Sequence, residues 1–367
     1  MKKKVIGIIC GGKSGEHEVS LRSAYYVFKN INRKKYRAIL LGIDKKGHWH
    51  FSEKYEDLIE NRKPMPRMKQ NTDAVVLIKD HSKTVVFSLK KKEEIARIDV
   101  AFPLIHGTFG EDGCLQGYLQ LLEIPYVGAG VLASALGMDK EVSKRLLQKE
   151  KIPIAKFFTL DKFNTSKQNS VLIQRAIKTL KFPIFVKPSC LGSSLGISKV
   201  NNWLELKKAI ALAFRYDNKI ILEEYIKARE IECSVLGNDK PKASLPGEIK
   251  PHDIFYSYKA KYLDPRGAEL LAPAPLNKKT IKVIQEMSLK VSQVLGCSGM
   301  VRVDGFLTRT NKFIISEINT IPGFTDISMY PKLWQVSGLS YARLLDKLIQ
   351  LALESYSQKK KLKRSYH

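Results

Sequence analysis

Arg302-Val-Asp304 and Glu317-Ile-Asn319 are two polar pairs, each spaced i, i+2, set in otherwise apolar runs. In an extended chain alternate residues share a face, so each pair points one way. The runs from Met300 to Leu307 and from Lys312 to Ile318 read as two strands, and paired in a hairpin they bring a guanidinium, two carboxylates and an amide oxygen into one space. That oxygen set suits Mg²⁺, which takes a few carboxylates and completes its shell with substrate phosphates. Arg302 beside it is suited to an anion that the metal does not hold. An ordinary amphipathic hairpin with a solvated polar face gives the same pattern.

The chain has 367 residues, enough for two or three domains. No apolar run approaches the roughly 18 to 20 residues of a membrane span. Met1-Lys-Lys-Lys4 resembles the start of a signal peptide. However, the apolar run Val5 to Cys10 is short and ends at Gly11-Gly12, as a buried first strand would. Five scattered cysteines contain no C-x-x-C pair, so neither a zinc site nor a disulfide framework is indicated and a reducing cytoplasm is the expected home. The net charge of +27 would attract polyanions, but the lysines are spread along the chain. Their densest block, Lys359 to Arg364, reads as a frayed tail. No aromatic-interleaved basic motif appears, so neither nucleic acid nor membrane is an expected partner.

Three blocks follow from the element pattern: 1–128, 129–222 and 223–367. The first alternates strands (Val5 to Cys10, Arg37 to Ile43, Asp99 to Pro103) with a helix from Ser20 to Asn30, which predicts a parallel α/β sheet. Residues Glu56 to Lys92 read as a charged, irregular insert. The second block carries a helix from Ser134 to Lys149, strands Phe182 to Lys187, Ile197 to Val200 and Ile220 to Glu224, and a helix from Trp203 to Arg215. The third holds a strand from Ile231 to Leu236, the hairpin, and a closing helix from Tyr341 to Glu354.

Several loops carry candidate chemistry. Ser189 to Gly196 is glycine- and serine-rich, and its N–H groups and hydroxyls suit phosphates, although it is not a Walker A sequence and a plain turn has the same composition. Lys187 before it and Lys140 in the preceding helix would offset polyphosphate charge. Glu223-Glu224-Tyr225-Ile226 ends a strand at a block boundary, where backbone groups can meet an adenine edge. Glu230 beyond it suits ribose hydroxyls; a linker with exposed acids reads the same way. Gly11 to Ser20 lies between a strand and a helix, and its Glu16 and Glu18 suit an ammonium group, while Ser20 with Glu18 is also a helix cap. His106 stands at the C-terminal end of a strand, where ligands bind in open α/β sheets, or where it supports its own loop. The stretch from Lys250 to Ala272, with Tyr258, Lys261 and Tyr262, has no period and reads as a lid.

Together these segments resemble the D-alanine–D-alanine ligase family of the ATP-grasp superfamily. The resemblance rests on Glu16-His-Glu-Val-Ser20, His106-Gly with Glu111-Asp-Gly113, Met138-Asp-Lys140, Lys187-Pro with Gly192-Ser-Ser-Leu-Gly196, Lys259-Ala-Lys261-Tyr262, Arg302-Val-Asp304 and Glu317-Ile-Asn319-Thr-Ile-Pro-Gly323. It implies an α/β, three-domain architecture with an N-terminal substrate-binding domain and two domains clasping ATP. It further implies two Mg²⁺ or Mn²⁺ ions on Asp304, Glu317 and Asn319, ATP phosphates on Lys140, Lys187 and Ser193, adenine at Glu223 to Ile226, and ribose on Glu230. Glu16 would pair with the first D-alanine's ammonium and His106 would contact substrate. Ser328 and Lys261 would take the second carboxylate. Ser193 and Tyr262 would bridge to Glu16, and Arg302 with the Gly323 N–H would stabilise an oxyanion. The implied protein is a cytoplasmic homodimer. The rival readings are a sister ligase using D-lactate or another amino acid, and a non-catalytic binder of nucleic acid or anionic surfaces. Phe in place of Tyr262 is what the resemblance associates with D-lactate.

Overall fold

The computed structural model describes residues 3–60, 65–69, 73–81, 83–192, 195–251 and 267–363. Ser193, Lys261 and Tyr262 lie outside them.

The first sheet is built on β1 (Lys4–Gly11), paired in parallel with β2 (Tyr36–Ile43) on one side and β9 (Val100–Pro103) on the other. These three strands are the expected parallel α/β core, buried on both faces as parallel strands must be. The sheet then continues antiparallel from β2 through β3 (Trp49–Ser52), β6 (Ala74–Asp80), β7 (Lys83–Ser88) and β8 (Glu93–Ile98). The expectation of an irregular insert from Glu56 to Lys92 is therefore overturned. Only its start departs from that meander, in helix α2 (Tyr55–Leu58) and the small pair β4 (Ile59–Glu60) and β5 (Arg67–Met68).

Helix α1 (His17–Asn30) covers the first sheet and starts earlier than the sequence predicts. Ser20 is consequently not a cap. Its buried hydroxyl accepts from the Gly11 N–H at 2.8 Å and donates to Leu104 O at 2.6 Å, tying the end of β1 to the residue that follows the edge strand β9. Helix α3 (Cys114–Leu121) follows the loop after β9.

The single helix expected from Ser134 to Lys149 is two helices, α4 (Val131–Met138) and α5 (Lys140–Lys149). Asp139 breaks them, with extended backbone and a side chain that accepts the Glu141 and Val142 N–H groups. A four-stranded sheet follows, in the order β10 (Phe157–Asp161), β13 (Lys219–Glu224), β11 (Ile184–Pro188), β12 (Ser198–Val200). Helices α6 (Ser166–Leu180) and α7 (Trp203–Ala213) bury its own apolar core. Residues 223 and 224 are the end of its second strand.

The third sheet pairs β14 (Arg229–Gly237) with β18 (Gly299–Leu307), and β18 with β19 (Phe313–Asn319), all antiparallel. β15 (Lys242–Ala243), β16 (Gly247–Pro251) and β17 (Ala268–Leu271) extend it. The ends of the expected lid are thus paired strands, and its central residues 252–266 lie outside the described residues. Helix α8 (Lys278–Val294), with α4 and α5, backs this sheet. Helices α9 (Met329–Val336) and α10 (Tyr341–Lys360) share one continuous core with β1, β2 and α1, so the first and third blocks are packed together. α10 also runs past Glu354: Lys359, expected in a frayed tail, is helical, with its ammonium 5.8 Å from the Tyr126 ring centre.

Candidate active site

The hairpin register sets the site. Arg302 stands opposite Asn319 and Asp304 opposite Glu317, so the four side chains share one face as the alternation requires. The guanidinium grips Asp304 with both prongs, Nε to Oδ1 at 2.7 Å and Nη2 to Oδ2 at 2.6 Å. It also lies 3.0 Å from a carboxylate oxygen of Glu232 on β14. Asn319 donates to Asp304 at 2.8 Å, and Glu317 meets the Lys140 ammonium at 3.2 Å.

Asp304, Glu317 and the Asn319 amide fit a divalent cation that shares its shell with phosphate. They are two hard carboxylates and one neutral oxygen on neighbouring strands, and their charge is here balanced by Arg302 and Lys140. Among the described residues no cluster of three or more His, Cys, Asp or Glu could hold a metal alone.

Helix α5 delivers the cations. Lys140 and Lys144 are one turn apart and share a face. Lys140 donates to Leu191 O in the glycine-rich loop at 2.7 Å while meeting Glu317, so it ties that loop to the hairpin. Asp139, besides capping α5, accepts from Ser189 Oγ at 2.8 Å and pairs with Lys219 at 2.5 Å. Lys187 pairs at 2.5 Å with one oxygen of Glu223, whose other oxygen is 2.7 Å from Lys144. Burial opposes ionisation of Glu223, but the two ammoniums outweigh it and bring its carboxyl down to about 2. Next to it, Glu224 uses its side chain to accept the Lys156 N–H at 2.7 Å. Tyr225 and Ile226 lie outside any strand, with the Tyr225 ring half exposed under the Lys199 ammonium. Glu230 sits inside the third sheet, between Ile249 and Phe306.

The first block supplies the other wall. Glu16 is buried, and a methyl at Gly107 or Gly192 would come within 2.8 or 3.2 Å of its Oε2. Glycines at both positions therefore leave room for this carboxylate between the His106 loop and the glycine-rich loop. Glu18 points elsewhere and pairs with Lys45 at 2.5 Å. His106 is buried with both ring nitrogens engaged, Nε2 with Ser23 Oγ at 3.0 Å and Nδ1 with Ile321 O at 2.8 Å. The structure thus shows it supporting the segment after Asn319, not presenting a free nitrogen to substrate. Gly323 in that segment would bring a Cβ 2.6 Å from Ser328 Oγ, and that hydroxyl is bonded to Thr325 N at 2.9 Å.

Three participants were not singled out from the sequence, Lys144, Glu232 and Lys219, and Glu111 was quoted only within a motif and given no role. Of the three, only Lys144 left a sequence signal, its four-residue spacing from Lys140. Glu111 accepts the N–H groups of Gly107 and Ile321, both at 2.8 Å. Enclosure by protein, then the Glu16 charge, pushes its carboxyl from 4.5 up to about 8, and the two N–H bonds pull it back only in part. A raised folded value means stability present at low pH that is lost as pH climbs to the folded value. The melting temperature of the wild type relative to Glu111→Gln is therefore expected to fall between about pH 5 and about pH 8 and then level off. A pH-independent difference in calorimetric melts would show Glu111 ionised throughout.

Comparison with known proteins agrees over the whole chain. The model "D-ala D-ala ligase N-terminus" matches residues 5–129 and "D-ala D-ala ligase C-terminus" matches residues 146–350. The D-alanine–D-alanine ligase of Oceanobacillus iheyensis is 45% identical over 366 residues, spanning 100% of this chain and 99% of that protein. D-alanine–D-alanine ligase A of Escherichia coli K12 is 44% identical over 364 residues, 99% of each chain. Among solved structures, the D-alanine–D-alanine ligase of Coxiella burnetii superposes with a TM-score of 0.84 at 37% identity, covering 98% of this chain and 97% of that one. The VanG D-Ala:D-Ser ligase of Enterococcus faecalis gives 0.81 at 36% identity, covering 96% and 100%. This chain belongs to the D-alanine–D-alanine ligase family.

Proposed function

We propose that the protein joins two D-alanines into D-alanyl-D-alanine at the expense of ATP, for peptidoglycan precursors. The observation that carries this reading is the facing of Arg302 with Asn319 and Asp304 with Glu317, bridged by Lys140 to the glycine-rich loop. One face thus holds metal-type oxygens, an anion-binding guanidinium and a phosphate-seeking lysine.

The carboxylate of the first D-alanine attacks the γ-phosphate to give an acyl phosphate and ADP. The amine of the second then displaces phosphate through a tetrahedral intermediate. Lys140 and Lys187 neutralise phosphate charge. Asp304, Glu317 and Asn319 would hold the divalent metal, which when bound supplies further neutralisation of the phosphoryl oxygens; we assign two Mg²⁺ or Mn²⁺ ions. Arg302 and the Gly323 N–H stabilise the oxyanion. Glu16 pairs with the first ammonium, and Ser328 with Lys261 takes the second carboxylate. The backbone of Tyr225 and Ile226 meets the adenine, beside Glu223 and Glu224, and Glu230 takes the ribose. His106 acts by holding the Ile321 carbonyl. We assign to Ser193 and Tyr262 the bridge to Glu16, and to the lid the shielding of the acyl phosphate from water. We place the domain divisions at 1–128, 129–222 and 223–367, and take the protein to be a cytoplasmic homodimer; among the described residues no helix is long and apolar enough to cross a membrane. Phosphate release that depends on both ATP and D-alanine tests the reading, and ATP turnover indifferent to D-alanine would sink it.

The likeness to a D-Ala:D-Ser ligase makes the second substrate a question in its own right. Tyr262→Phe is expected to weaken dipeptide synthesis and admit D-lactate, most visibly at lower pH, where the competing amine is protonated. Mass analysis of products at two pH values checks this, and an unchanged product ratio removes Tyr262 as a selectivity element.

A further inference from the structure

Lys144 is the one buried lysine of the site to which the reaction above gives no task. Its side chain is 2% exposed, as is that of Glu223. The two approach to 2.7 Å, a close ion pair closed off from solvent on both sides. On its other side the ammonium faces the Phe157 ring, 6.0 Å from the centre. Desolvation pushes this lysine's pKa down and the Glu223 charge pulls it back up. Burying such a cation is costly unless its partner needs it.

Glu223 has a second cation, Lys187, at 2.5 Å on its other oxygen. Lys187 is also the more exposed of the two lysines, at 12% against 2%. If Lys187 were the only partner, its departure toward a phosphate would strand a buried carboxylate. With Lys144 in place, the carboxylate keeps a counter-ion whichever way Lys187 turns.

We propose that Lys144 is a positioning residue for ATP: it is the resident counter-ion of Glu223 that frees Lys187 to move from Glu223 to the nucleotide phosphates. This rests on the reading of Lys187 as a phosphate ligand. Lys144 and Lys140 then divide the labour of one helix face. Lys140 reaches forward to the loop and to Glu317, while Lys144 reaches back and sustains the carboxylate with which Lys187 also pairs.

The test measures binding of a non-hydrolysable ATP analogue to the full chain by calorimetry, beside steady-state kinetics. Lys144→Met should weaken analogue binding by about 100-fold, the cost of stranding one member of a buried pair, and raise the KM for ATP without changing that for D-alanine. In a Glu223→Gln background, where there is no charge to balance, Lys144→Met should change analogue affinity by no more than about threefold. A merely structural lysine would give equal losses in both backgrounds, and that result, or wild-type affinity in Lys144→Met, overturns the proposal. A crystal structure of the wild type with the analogue needs no variant to fold. It should show Lys187 more than 4 Å from Glu223 and Lys144 still within ion-pair reach; Lys187 remaining on Glu223 also overturns it. Failure of the wild type to bind the analogue would instead remove the nucleotide reading, and this proposal with it.

Discussion

Glu317→Ala should lower D-alanine-dependent phosphate release by about 10³-fold while the chain stays folded. The loss is that of several kcal/mol of charge stabilisation at the transferring phosphoryl group. Glu317 is one of the two carboxylates on the hairpin face, so its removal halves the anionic ligands available to a divalent ion. The fold should survive because the side chain is 31% exposed and its partner Lys140 keeps the Leu191 carbonyl. Phosphate release across a range of Mg²⁺ concentrations, together with thermal melts, checks both halves. Partial rescue at high metal is the expected signature of a weakened site. Wild-type turnover by a folded Glu317→Ala protein would remove the metal assignment.

The hairpin was legible because its polar residues fall at i and i+2 inside apolar runs; that alternation gives the shared face, while the register itself, with its shift between Asp304 and Gly305, is set by the fold. The break at Asp139 was within reach too: an aspartate with a glutamate two residues later is a helix start, but the flanking apolar spacing continued through it and suggested one helix. The meander from β6 to β8 was obscured for a physical reason. Val76 and Ile78 face solvent on β6, so the strand lacks the apolar–polar alternation that marks a half-buried one, and the lysines around it suggest a loop. Ser20 was misread because its sequence context describes a cap, whereas its hydroxyl bonds Leu104, 84 residues away. The roles of Lys144, Glu111 and Glu232 were hidden on similar grounds, although Lys144 left its spacing from Lys140 and Glu111 its place in a motif. Each acts through a partner brought near only by the fold, on Glu223, Ile321 and Arg302 respectively. Charged residues in a chain carrying 63 Lys and Arg look alike until burial separates them.

Arg302→Lys should cost about 10² to 10³ in kcat although it conserves the charge, the range found when a preorganised oxyanion donor is lost. The guanidinium bonds both oxygens of Asp304 at 2.7 and 2.6 Å and approaches Glu232 at 3.0 Å, so its planar fork is fixed by two carboxylates on adjacent strands. An ammonium is a point charge on a flexible stem and cannot meet that pattern, so it will settle on one carboxylate and leave the oxyanion position. Nucleotide affinity should change little, because Lys140 and Lys187 remain on helix α5 and strand β11. The effect therefore belongs in kcat, and in kcat/KM for the second D-alanine, with the KM for ATP nearly constant. Arg302→Met separates structure from catalysis. It takes the guanidinium away from Asp304 and Glu232, both at most 15% exposed, and should destabilise the fold by up to about 3 kcal/mol, a loss that Arg302→Lys should largely avoid. If Arg302→Lys turns over within a few-fold of the wild type, the guanidinium is a strut for the metal carboxylates and oxyanion stabilisation falls to the Gly323 N–H alone. If both variants lose activity and stability in proportion, Arg302 acts only through the fold.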